Sequence, residues 1–311
     1  MRRRVAAVLL LTAGLGAWLA WNRHTHPPGD APRPRAVWSK PGLRGMAVDG
    51  EGRVLAVRFA GGGAEAVVVS PEGRVEPLRS AVPSLVRPAV LPGGGFAFAS
   101  GPVLAAWRPG RGVETLLSVG GGKGFGPDIA AVFMEGDELV CGWTPVMLSG
   151  AAYTKDYLTW SRWDAATLEP VEGGPPAEWD GNGAGVMRNV RRAEALPRGS
   201  VPEAARWVSA DFAGDVAAAA WLETGDSRAV GGWRLRTYHT GVRLYRWGGG
   251  SWELLAEDRR RTSRLVGSPA NGWKIDLAGH NAVRLSPGGR FLLVTGGGGM
   301  QLCEVGRRGG R

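Results

Sequence analysis

The sequence predicts an all-β fold, a β-propeller of about five clear four-stranded blades preceded by one N-terminal helix. Three observations predict it. Pairs of short apolar runs joined by Gly- and Asp-rich turns recur along the chain. The first units are spaced by 42 and 41 residues, the length of a blade. The last unit lacks its fourth strand, and a candidate for it stands at the other end of the domain.

The N-terminus comes first. Arg2, Arg3 and Arg4 precede an uncharged run from Val5 to Trp21, the pattern of an export signal or a signal-anchor. Seventeen residues is the short end of a spanning helix, and Trp18 and Trp21 sit where an interfacial belt would. The arginines place the rest of the chain outside the cytoplasm by the positive-inside rule. Residues 1–22 are therefore read as a signal-anchor or signal peptide, and cleavage after Gly16 stays open. Residues 23–35, with Pro27, Pro28, Pro32 and Pro34, read as an extended spacer. The β domain is expected over 36–306, and 307–311 form a basic tail.

Within the domain, each unit has two hairpins. The first turns are Asp49-Gly50-Glu51-Gly52, Pro92 to Gly95, Glu135-Gly136-Asp137, Ala213-Gly214-Asp215 and Pro287-Gly288-Gly289. The second hairpins end on an apolar-Glu-x-apolar pattern, as in Val75-Glu76-Pro77-Leu78 and Trp252-Glu253-Leu254-Leu255. Strands a to d of each unit follow. The last unit ends soon after Glu304, and Ala36 to Ser39 can supply the missing strand and remove the exposed edges.

Two stretches resemble the WD-repeat and WD-like propellers. Gly279-His280, followed by Ser286-Pro287-Gly288-Gly289, looks like the start and first turn of such a repeat. Tyr157 to Val171, carrying Trp163-Asp164, looks like its strand c, Trp-Asp dipeptide and strand d. The resemblance implies a propeller, a structural role for His280 and, by analogy, a binding platform; it implies no catalytic residues.

Later units are spaced by 80 and 73 residues. Either the doubled intervals hide degenerate blades, giving six or seven, or they hold long insertions. The extra length falls between strands b and c (144–156 and 223–240) and between d and the next a (174–206 and 259–279). Both connections open on one face of a propeller, so long loops are expected there. The insertions carry 14 Arg or Lys against 8 acids, while the body of the domain is mildly acidic. The chain has 34 Arg and 4 Lys, but a uniform bias would not segregate charge this way. The expected binding face comprises Lys155, Trp179, Arg188, Arg191, Arg192, Trp233, Arg234, Arg236, Tyr238, His239, Arg259, Arg260, Arg261 and Trp273.

The function expected from this pattern is a non-enzymatic, membrane-tethered binding or scaffold module outside the cytoplasm. Its partner would be an envelope protein or an anionic envelope polymer, not nucleic acid. The alternative is a propeller hydrolase or lyase acting on envelope glycan at the same face, with loop carboxylates and His239 as base. Asp180 and Asp211 have no identifiable mate. No cofactor or metal is expected, since Cys141 and Cys303 lack metal spacing. Gly120 to Gly126 lacks the Lys-Ser/Thr pair and following helix of a phosphate loop.

Overall fold

The structure, a computed structural model, describes residues 31–60, 63–78, 86–120, 128–144, 157–177, 196–197, 199–205, 207–230, 233–266, 282–296 and 299–306. The N-terminal segment 1–30, with the anchor expected there, and His280 lie outside the described residues.

The described chain forms five four-stranded antiparallel sheets, an arrangement consistent with a propeller. It enters through β1 (Arg35–Pro41). Sheet 1 holds β2 (Leu43–Val48), β3 (Val54–Ala60), β4 (Gly63–Val69) and β5 (Val75–Leu78). Sheet 2 holds β6 (Ala89–Val90), β7 (Phe96–Ser100), β8 (Val103–Arg108) and β9 (Gly112–Ser118). Sheet 3 holds β10 (Asp128–Glu135), β11 (Glu138–Thr144), β12 (Thr159–Asp164) and β13 (Pro170–Val171). Sheet 4 holds β14 (Trp207–Ala213), β15 (Val216–Val230), β16 (Trp233–Gly248) and β17 (Ser251–Val266). Sheet 5 holds β18 (Ala282–Leu285), β19 (Phe291–Gly296) and β20 (Gly299–Glu304), and β1 is its fourth strand.

The strand count in the sequence explains that last pairing. β20 would present a row of bare backbone groups, and β1 covers it from Arg35 opposite Glu304 to Pro41 opposite Gly299. Trp38 Nε1 then donates to the Pro71 carbonyl at 3.0 Å, fastening β1 to sheet 1.

Apolar side chains on alternate positions pack the sheets face to face. One core joins sheets 1 and 2 through Leu55, Phe96, Phe98 and Trp107. Others join sheets 2 and 3, sheets 1 and 5, and sheets 4 and 5. Each fully buried Phe or Leu contributes roughly 1.5–3 kcal/mol relative to exposure. The remaining face of sheet 4 is covered differently. There Leu196 and Val201, from the segment leading into β14, pack on Ala217, Ala219 and Tyr245. The described part of that segment is turns, without strand or helix.

Turn chemistry fixes the hairpins. The fully buried Asp49 carboxylate accepts from the Glu51, Arg53 and Gly95 amides, locking one turn and its neighbour sheet together. Asp164, the acid of the Trp-Asp dipeptide, accepts from the Thr167 and Ala166 amides and the Thr167 hydroxyl. Those bonds, the Thr167 amide first, hold its pKa below the ordinary aspartate value.

One expectation is corrected. Residues 223–230, 233–240 and 259–266, expected as loops, are strand, and 231–232 lie outside the described residues. β15, β16 and β17 run past the end of β14, which stops pairing at Leu222. The result is a three-stranded arm about 25 Å long at the usual strand rise. The physical reason lies in Arg234-Leu235-Arg236-Thr237-Tyr238-His239-Thr240. Its β-branched and aromatic residues suit a strand, but polar groups stand on both faces, so no apolar alternation marks it.

Candidate functional site: the sheet-4 arm

Register places the arm's residues on two faces, because directly paired residues in antiparallel strands share a face. On one face, three rows succeed one another across β15, β16 and β17. Glu223, His239 and Arg261 form the outermost. Trp221, Gly241 and Arg259 form the next. Ala219, Arg243 and Glu257 form the third.

The middle row depends on a glycine. A Cβ built at Gly241 would fall inside the Trp221 indole. Only glycine lets that ring lie flat across β16, where it is almost wholly buried. Arg243 caps it, with its guanidinium carbon 5.1 Å from the ring centroid.

The third row is an ion-pair network. Glu257 is 1% exposed. A buried carboxylate is expensive unless paired and hydrogen-bonded. Arg243 Nε donates to its Oε1 at 2.6 Å and Arg259 Nε at 2.8 Å. Burial works against the Arg243 charge, but the Glu257 carboxylate overrides it and holds the guanidinium pKa above the ordinary value. Arg243 also donates to the Gly199 and Ser200 carbonyls, so the segment before β14 is bound to the arm's base. The Glu257 amide donates to the Pro32 carbonyl at 2.9 Å, bringing the end of the N-terminal spacer to the same spot.

The outermost row differs. His239, Glu223 and Arg261 are each half-buried. The Arg261 Nε is buried and has no hydrogen-bond partner. By register the His239 imidazole stands in one row with the Glu223 carboxylate and the Arg261 guanidinium, a general-base side chain beside a group that can hold an anion.

The structure therefore brings Arg259, Arg261 and His239 together on one face. Tyr238 and Arg260 lie on the other, Arg260 held by Asp258 at 2.9 Å, and Arg236 shares that second face. Trp233 and Arg234 belong to β16, opposite Val230 and Ala229. Lys155, Trp179, Arg188, Arg191, Arg192 and Trp273 lie outside the described residues. Glu223 and Glu257 are site residues that the sequence pattern does not single out. Glu257 carries one signal, an acid directly before Asp258 in a strand otherwise crowded with arginine.

Asp211, without a mate in the sequence, has one in space. Arg87, at the start of sheet 2, reaches both its carboxylate oxygens at 2.9 and 3.0 Å. The Leu285 amide donates to Asp211 Oδ2 at 2.9 Å, and the Val283 amide to Ser209 Oγ at 3.3 Å. This carboxylate is spent on joining sheets 2, 4 and 5. A cleft of about 720 Å³ between sheets 2 and 3 is lined by Glu114, Trp160 and Glu172. Its Arg162 is already bound to Glu135 and Glu138. Among the described residues no group of three His, Cys, Asp or Glu is placed to hold a metal ion. Cys141 and Cys303 are free and buried.

No protein-family model matches the chain, and no curated protein matches it by sequence. Among solved structures it is similar to a gluconolactonase from Xanthomonas campestris, at 10% identity and TM-score 0.40, covering 90% of this chain and 97% of that one. It is similar to a protein described as an oxidoreductase (glucose dehydrogenase) from Thermus thermophilus, at 12% identity and TM-score 0.28, covering 70% and 95%. A catalytically inactive virginiamycin B lyase from Staphylococcus aureus, with quinupristin, gives 9% identity and TM-score 0.29, covering 86% and 96%. These are propeller-like proteins and not WD repeats specifically. All three carry enzyme names, and the expectation of a non-enzymatic scaffold module is corrected accordingly. Likeness at this level transfers no substrate or residue role to this chain.

Proposed function

We propose that this chain is an enzyme on a five-bladed propeller scaffold, a hydrolase or lyase acting on an envelope glycan at the sheet-4 arm. The row Glu223–His239–Arg261 carries the reading. His239 is the proton-transfer group, Glu223 its orienting partner and Arg261 the electrostatic element. Trp221 and the Arg243–Glu257–Arg259 network form a rigid base beneath that row, which suits a site whose groups must be held in place. The domain would be tethered outside the cytoplasm through residues 1–22, with an anionic envelope polymer within reach.

The experiment is a turnover screen. Purified full-length protein is incubated with a panel of neutral and acidic polysaccharides, reading new reducing ends for hydrolysis and absorbance of an unsaturated sugar for elimination. Release of either product by wild type, lost in His239→Ala with unchanged melting, supports the reading. Equal release by both proteins, or none on any polymer, refutes it.

A further inference from the structure

We infer that Arg261 is an anchor for an oxyanion on the substrate, a carboxylate or phosphate borne on a sugar, seated beside His239. The inference rests on the arm being the reactive site and adds the substrate's charge. It comes from a contrast among neighbouring arginines. Arg243 and Arg259 both donate to Glu257, and Arg260 donates to Asp258. Arg261 sits in the same strand as the last two, half-buried, and its Nε is buried with no hydrogen-bond partner. A buried polar group without a partner costs stability and calls for a reason. The described residues paired beside it do not supply one. His239 lies directly across on β16, Gly241 and Arg259 form the row on one side, and Thr237 and Ser263 form the row on the other. None of these is an anion. Glu223 lies two strands away, with His239 between them. An oxyanion arriving over this face satisfies Arg261, with the Arg259 charge one row below and the imidazole alongside.

The test is a binding measurement, so it does not depend on turnover. Full-length protein is titrated calorimetrically with an oligogalacturonide, its neutral methyl ester, and glucose 1-phosphate. Wild type, Arg261→Gln and Arg228→Gln are compared. Arg228 is an exposed arginine on the same arm, and its replacement makes the same charge change. Wild type should prefer one of the anionic probes to the neutral ester, and the preferred probe identifies carboxylate or phosphate. Arg261→Gln should weaken that binding about 10- to 100-fold, the value of one charge-assisted hydrogen-bonded contact, with Arg228→Gln close to wild type. Equal weakening in both variants, or no anionic preference in wild type, overturns the anchor. Anionic binding lost in Arg261→Gln without turnover on any polymer keeps the anchor and sinks the catalytic reading. Turnover whose KM is unchanged in Arg261→Gln does the reverse.

Discussion

Replacing Gly241 by alanine should destabilise the protein through a single contact. The added methyl falls within the Trp221 indole, so the ring must lift off β16. Trp221 is 3% exposed and capped by Arg243, and it has no space into which to retreat freely. Forcing an extra carbon into a packed site costs roughly 1–3 kcal/mol. Alanine also narrows the unfolded ensemble, which offsets about 0.4–1 kcal/mol. The net loss is about 1–2 kcal/mol, a fall in Tm of about 2–6 °C for a domain of this size. Thermal unfolding of Gly241→Ala, alone and in a Trp221→Ala background, measures it. With the indole gone, the alanine has nothing to displace, and the second substitution should be neutral or slightly stabilising. A Gly241→Ala protein as stable as wild type, or an equal loss in both backgrounds, would refute the packing argument.

Three further outcomes are expected of the same structure. Asp211→Ala removes an acceptor of the Leu285 amide and strands Arg87; with Arg87 partly exposed, the loss should be about 2–3 kcal/mol by urea unfolding. Cys141 and Cys303, pushed up to about 12 by burial, should resist a thiol reagent at neutral pH and react only on unfolding. Asp164 has a lower pKa folded than unfolded, so its contribution is present above the ordinary aspartate range and fades as pH falls through the folded value. Asp164→Ala should therefore narrow the stability difference from wild type as the pH is lowered, and a constant difference across the titration would contradict the assignment.

Much of the fold is legible in the sequence because turns and strand counts are local or arithmetical. Asp49 and Ser286 mark first-hairpin turns, and the short final unit implies that an N-terminal strand must close it, as β1 does. The arm is not legible as strand, since Arg236 and Tyr238 on one face and His239 on the other leave no apolar stripe to read. Its site is half legible. His239 and Arg261 are expected on one surface, but their alignment with Glu223 depends on the register that runs unbroken from Val216 opposite Arg246 to Thr224 opposite Tyr238. Arg87 and Asp211, 124 residues apart, meet only through the packing of whole sheets. No sequence spacing encodes that pair.

If the outer row of the arm performs chemistry, removing its proton-transfer group must stop turnover without unfolding the chain. The measurement is the ratio of kcat for wild type and His239→Gln on whichever polymer the screen selects, with Tm recorded for both. The predicted result is a fall in kcat of about 100-fold or more, the usual contribution of a positioned proton-transfer group, with Tm unchanged. An unchanged kcat in a folded variant would contradict it, and would move any activity of this protein away from the arm.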